Sequence, residues 1–221
     1  MKKFTWFDAA ALVVWLLPVA YLFFIYPTLP AKVPLHFGPG GKPDAFGEPK
    51  DLFGFQYLLL GVSLGVYLLI KYLPQIDPKQ KAKYSADTFQ KMSLGLVLFL
   101  SAINLAILFA TANGSFNIDK LLYPLMGLFF AFLGNLMNSI KPNYFAGIRT
   151  PWTLESEDTW RATHRLAAKL WFWGGMLITI ITLLIKGQAA STVFLCGTIM
   201  LALIPMVYSF IYFKKHQLKA E

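Results

Sequence analysis

The chain is short of the residues from which most soluble catalysts are built. It has a single cysteine, Cys196, so neither an intrachain disulfide nor a multi-cysteine metal site can form. Its three histidines, His36, His164 and His216, lie far apart in sequence, which argues against a zinc site. No nucleophile elbow and no phosphate loop is present. His164 with Glu157 is a weak acid–base signal, so the chain is read as a non-enzyme that takes no cofactor and no metal. Charge is scarce as well: Asp, Glu, Lys and Arg make up 14% of the residues. Six stretches, 9–26, 52–70, 92–112, 121–140, 166–185 and 191–213, hold no Asp, Glu, Lys, Arg or His except Lys169 near the start of the fifth. An ion-coupled transporter usually needs an ionisable group inside a span, so that class is disfavoured.

What the chain has in quantity is apolar surface. It is 57% hydrophobic and 16% aromatic, with a mean hydropathy of +0.55. Too little polar surface remains to cover one aqueous core of that composition. A hydrocarbon layer of about 30 Å takes roughly 20 apolar residues per helix, and the six stretches meet that length. The expected fold is an all-α membrane protein with six transmembrane helices, forming a single membrane domain over residues 1–221.

The net charge of +9 would suit nucleic acid if it were gathered on one surface, but it is sorted by loop. Fifteen of the 20 Lys and Arg fall in the two tails, the 71–91 loop and the loop after the fourth span. Cytoplasmic loops carry that excess, so both termini are expected in the cytoplasm and no direct contact with nucleic acid is expected. Lys2 and Lys3 before an apolar run resemble a signal peptide, yet no small-x-small cleavage site follows. An uncleaved first span is the better reading.

Two loops have substance. The external one, 27–51, is rich in Pro and Gly. Its prolines hold it extended, and the run from Gly38 to Gly41 marks a turn across which Phe37 and Phe46 can pack as a short hairpin. An ordinary connector with aromatics resting on the interface fits the same composition. The cytoplasmic one, 134–165, crowds Asn, Gly, Arg, Pro and Trp into close spacing. Asn135, Asn138 and Ser139 share a helix face, for interhelical hydrogen bonds or for a cavity. Pro142-Asn143 ends the fourth span, Gly147 permits a tight path, and Thr150-Pro151 restarts an extended segment. Arg149 has no adjacent acid, and can bind lipid phosphate or hold a specific anion. Thr153 or Ser156 can cap the next helix. That helix carries Trp160, His164, Ala167 and Trp171 on one stripe and Arg161, Arg165 and Lys169 on another. It suits either interfacial anchoring or a ligand face.

Gly134-Asn135, Pro142-Asn143, the run from Gly147 through Arg149, Thr150, Pro151 and Trp152 to Leu154, and Ser156-x3-Trp160 with Arg165 behind it resemble the SdpI family of bacterial membrane proteins. The external run Leu29-Pro30…Val33-Pro34-x-His36-Phe37…Gly41-x-Pro43-Asp44 looks like the domain of unknown function that often precedes this family's core. The resemblance implies an immunity protein of the bacterial cytoplasmic membrane that protects against a secreted SdpC-type toxin peptide. In the founding case it also implies a sensor that captures a cytoplasmic autorepressor. On this reading Pro34, His36, Phe37 and Asp44 face the toxin. Asn135, Asn138, Asn143, Gly147, Arg149, Thr150, Trp152, Trp160, His164 and Arg165 serve a cytoplasmic partner or ligand. Two alternatives stay open from the residues alone. One is a binder of lipid headgroups, or a membrane enzyme, at the cytoplasmic interface, with Arg149 holding phosphate. The other is a small-solute facilitator built around Asn104 and the Asn135 face.

Overall fold

In the computed structural model, which describes residues 4–38, 40–77, 85–114 and 116–217, the chain is a helical bundle with a small hairpin at one end. Lys2, Lys3, Pro78, Lys79, Lys81, Lys83 and Lys219 lie outside the described residues. The elements run α1 (Trp6–Ile25), β1 (Val33–Phe37), β2 (Pro43–Gly47), α2 (Asp51–Ile76), α3 (Ala86–Ala112), α4 (Asp119–Met137), α5 (Pro151–Glu155), α6 (Glu157–Leu184) and α7 (Gln188–Gln217). Six of the helices are long and apolar enough to cross a membrane, as the composition requires. Leu12, Phe24, Leu58, Leu69, Leu184 and Ile211 are among the many large apolar side chains left facing outward. In water such a surface would be a liability, whereas in lipid it is the solvated one.

The helices pack in two groups. In the first, α3 lies against both α1 and α2, while α1 and α2 touch little. The second is organised by α4 and α6, which share the most extensive interface in the molecule, with α7 laid on α6. Small residues make the α4–α6 approach possible. A Cβ on Gly134 would overlap the backbone of Trp171 and Phe172, and one on Gly127 or Gly175 would strike the backbone of the opposite helix. Lipid offers apolar side chains no reason to leave it, so close backbone packing at small residues drives such helix pairs. The groups meet at α3–α4, where Phe99 and Phe129 stack at 4.0 Å.

The hairpin is present, with β1 and β2 antiparallel. Its register places Phe37 opposite Pro43 and Pro34 opposite Phe46. Phe37 and Phe46 therefore do not pair, because the irregularities on either side of His36 shift the strands past each other. An isolated two-stranded hairpin is marginal, and this one is held by the bundle. Val33 is fully buried in a cluster with Leu22, Ile25, Leu52 and Leu108, and the Thr111 hydroxyl donates to the Pro34 carbonyl at 3.3 Å.

The apolar stretch 9–26 holds no charged side chain, but α1 begins earlier and takes in Asp8. The Asp8 carboxylate accepts from the Thr5 N–H at 2.7 Å and the Thr5 hydroxyl at 2.8 Å, which starts the helix before the apolar run begins. Asp8 is buried, and the Tyr67 hydroxyl and Lys71 ammonium of α2 both donate to it. Gln90 of α3 donates to Thr5 at 2.9 Å, so three helices converge on one carboxylate. The groove beside it, about 340 Å³ between α1 and α2, is otherwise apolar.

Four substitutions check this packing through thermal unfolding in detergent. Gly134→Ala is expected to cost about 1–3 kcal/mol, whereas Gly61→Ala, whose Cβ meets nothing, is expected not to lower stability. Equal melting of the two would discount the α4–α6 contact. Asp8→Ala strands the enclosed Lys71 ammonium and is expected to cost about 3 kcal/mol. Adding Lys71→Met should recover most of that loss.

Candidate functional site

The segment after α4 is folded by its own polar side chains. Asn143 is buried, and its Oδ1 accepts from the backbone N–H groups of Phe145 and Ala146, both at 2.8 Å. Its Nδ2 donates to the carbonyls of Lys141 at 2.8 Å and Ala146 at 3.2 Å. Those four bonds use the full capacity of the amide around one turn. Ser85, just ahead of α3, fixes the start of the segment by accepting from the Lys141 N–H at 2.9 Å.

Trp160 and His164, one turn apart on α6, are 1% and 2% exposed, with rings stacked at 4.1 Å. The Trp160 indole donates to the Ile140 carbonyl at 2.9 Å. His164 Nδ1 faces the Trp160 carbonyl at 2.9 Å, and Nε2 accepts from the Ile148 N–H at 3.1 Å. Ring and loop backbone come this close because Gly147 stands between them. Its φ is +106°, a region that disfavours any side chain, and a Cβ there would overlap His164 Nε2. The stripe Trp160, His164, Ala167 thus faces protein and packs with Met137 and Ile140. Interfacial anchoring does not describe it.

Thr150 begins α5 and accepts from the Thr153 N–H at 3.3 Å. The Thr153 hydroxyl donates to the Ile148 carbonyl at 2.9 Å. From α5 the Trp152 indole donates to Ser209 of α7, and its ring meets Phe210 edge-on at 5.2 Å. Ser156 caps α6, accepting from the Thr159 N–H at 3.2 Å. The motif therefore ties α3, α4, α6 and α7 together at the end of the bundle where α1 begins and α7 ends.

Fewer groups remain for a ligand than the sequence suggests. Asn135, Asn138 and Ser139 are exposed. Arg149 is exposed, and its guanidinium donates to the Tyr144 carbonyl at 2.5 Å. Arg165 is exposed and lines a cavity of about 220 Å³ together with Asn138, Lys141, Arg161, Trp160 and His164. Arg149 is not among the cavity's walls. The sequence had Arg161 and Arg165 on one stripe, but nothing in it placed Lys141 beside them across the loop.

At the other end, His36 and Asp44 are exposed and paired at 2.6 Å across the strands. Phe37 is half-buried, and Pro34 is buried on the packing side. The geometry thus joins His36 to Asp44, while Pro34 supports the hairpin from beneath. Asn104 is buried within α3. Among the described residues no cluster of His, Cys, Asp or Glu is suited to a metal ion.

If Asn143 builds the loop, Asn143→Ala should lower stability by about 1–3 kcal/mol by orphaning buried backbone groups. Arg149→Ala, at an exposed position, should melt with the parent in the same detergent. Identical melting of all three proteins would contradict the assignment.

Residues 139–212 match the family described as the SdpI/YfhL protein family, a stretch running from the motif loop through most of α7. Residues 13–60 match a domain of unknown function (DUF1648) and take in most of α1, the hairpin and the start of α2. Immunity protein SdpI of Bacillus subtilis (strain 168) is 28% identical over 192 residues, covering 86% of this chain and 88% of that protein. No solved structure matches the chain. With the motif loop and the helices after it inside the matched segment, and a relative matched over most of its length, this multi-pass bacterial membrane protein is similar to the SdpI/YfhL protein family.

Proposed function

We propose that this protein confers immunity on a bacterial cell against a secreted toxin peptide of the SdpC type. The observation that carries this reading is the relation to Immunity protein SdpI along 86% of the chain. The two matched segments between them contain the hairpin and nearly all of the motif loop. The sorting of Lys and Arg supports an orientation with the termini and motif loop in the cytoplasm and the hairpin outside.

In this orientation the toxin meets the hairpin. The exposed His36–Asp44 pair offers polar contacts beside Phe46, which is 60% exposed, and half-buried Phe37. A polar pair flanked by aromatic rings suits a peptide that is itself partly apolar. The motif loop, with Arg149 at its surface, is the part placed to engage a cytoplasmic autorepressor and so report toxin binding.

Survival of a toxin-sensitive strain exposed to SdpC-type peptide tests the reading. The parent protein is expected to protect. His36→Ala with Asp44→Ala is expected to lose protection at the hairpin, and Arg149→Ala to lose it while protein levels in the membrane stay the same. Protection by both variants would remove these residues from the mechanism. Killing as fast with the parent as without it would overturn the immunity reading.

A further inference from the structure

We infer that the cavity beside the motif loop is a binding site for a phosphate monoester, held by Lys141, Arg161 and Arg165. The inference goes beyond toxin protection and rests on side chains other than Arg149. At about 220 Å³ the cavity is far larger than the roughly 30 Å³ share of one water in the liquid, so it has room for a phosphate and its first ester atoms. Its cations come from two segments: Lys141 from the loop after α4, and Arg161 and Arg165 one turn apart on α6.

The inner wall does not compete for them. The Trp160 indole is committed to the Ile140 carbonyl, and both nitrogens of His164 are committed to backbone groups. No carboxylate lines the cavity. Glu157 does pair with Arg161 at 2.5 Å, but both are well exposed, and exposed pairs are weak and readily exchanged. Among the described residues no ion pair engages Lys141 or Arg165. Three positive charges around one concavity repel one another until an anion enters. A phosphate monoester carries close to two negative charges and three acceptor oxygens, which matches three cationic donors better than a singly charged carboxylate does. Asn138 adds a neutral amide at the rim.

The phosphate can belong to a lipid headgroup or to a free anion, and two measurements on the purified full-length chain separate these sources. Native mass spectrometry from nanodiscs of phosphatidic acid in phosphatidylcholine reads lipid retention, and calorimetric titration with inorganic phosphate reads the free anion. At least one is expected to register binding. Lys141→Gln combined with Arg165→Gln should weaken it about tenfold, while Lys214→Gln combined with Lys215→Gln, removing equal charge from α7, leaves it unchanged. Phosphatidic acid retained without a phosphate response assigns the site to lipid, and a phosphate response that displaces the lipid assigns it to the free anion. Should the double variant melt below the parent, Arg161→Gln makes the same comparison. No preference for phosphatidic acid together with no phosphate response, or equal loss in both double variants, overturns the inference.

Discussion

The packing of α4 on α6 is the constraint on which the rest depends. Inside a bilayer, burying apolar side chains yields little, so two helices stay together through backbone contact and a few hydrogen bonds. Gly127, Gly134 and Gly175 permit that contact, and Thr179 adds a hydrogen bond to the Pro124 carbonyl at 3.2 Å. The end of α4 and the first turns of α6 are thereby brought to one point. Trp160 can then reach the Ile140 carbonyl, and His164 can receive the Ile148 N–H. A looser pairing would withdraw both partners from the motif loop at once.

Much of this was legible in the sequence, for identifiable physical reasons. Span number and approximate position follow from runs too apolar for water. Helix ends were less legible: Asp8 fell outside the apolar run, and only the structure shows Tyr67 and Lys71 turning it inward. Period correctly put Trp160, His164 and Ala167 on one face, but an amphipathic stripe does not say whether protein or lipid covers it. Gly147 was visible as a permissive residue, yet its necessity comes from a ring 17 positions further on. The hairpin's existence followed from Pro and Gly placement, whereas its register depended on irregularities around His36 that leave no compositional trace. The small-residue face of α4, Gly127, Ala131 and Gly134, stood in the sequence unread.

The motif's polar residues divide by task. Asn143, Thr150, Thr153 and His164 are buried and bonded, and they give the loop one shape. Arg149, Lys141, Arg161 and Arg165 stay exposed around it. Shape is thus set by neutral groups, whose hydrogen bonds are insensitive to salt, while charge is left at the surface. A partner or ligand meets a preformed frame and contributes chiefly electrostatic energy.

The hairpin is also stitched to the connection between α3 and α4. The Asn117 amide donates to the Gly40 carbonyl at 2.6 Å, and the Ile118 N–H donates to the Gly41 carbonyl at 3.2 Å. Asn117 in turn accepts from the N–H of Asp119, the first residue of α4. With 19 residues α4 spans about 28 Å, and its far end opens directly into the motif loop. The two loops are therefore fastened to opposite ends of a single strut. A load on the hairpin tip bears on α4 as a rigid body, so the two mouths of the bundle are mechanically in series.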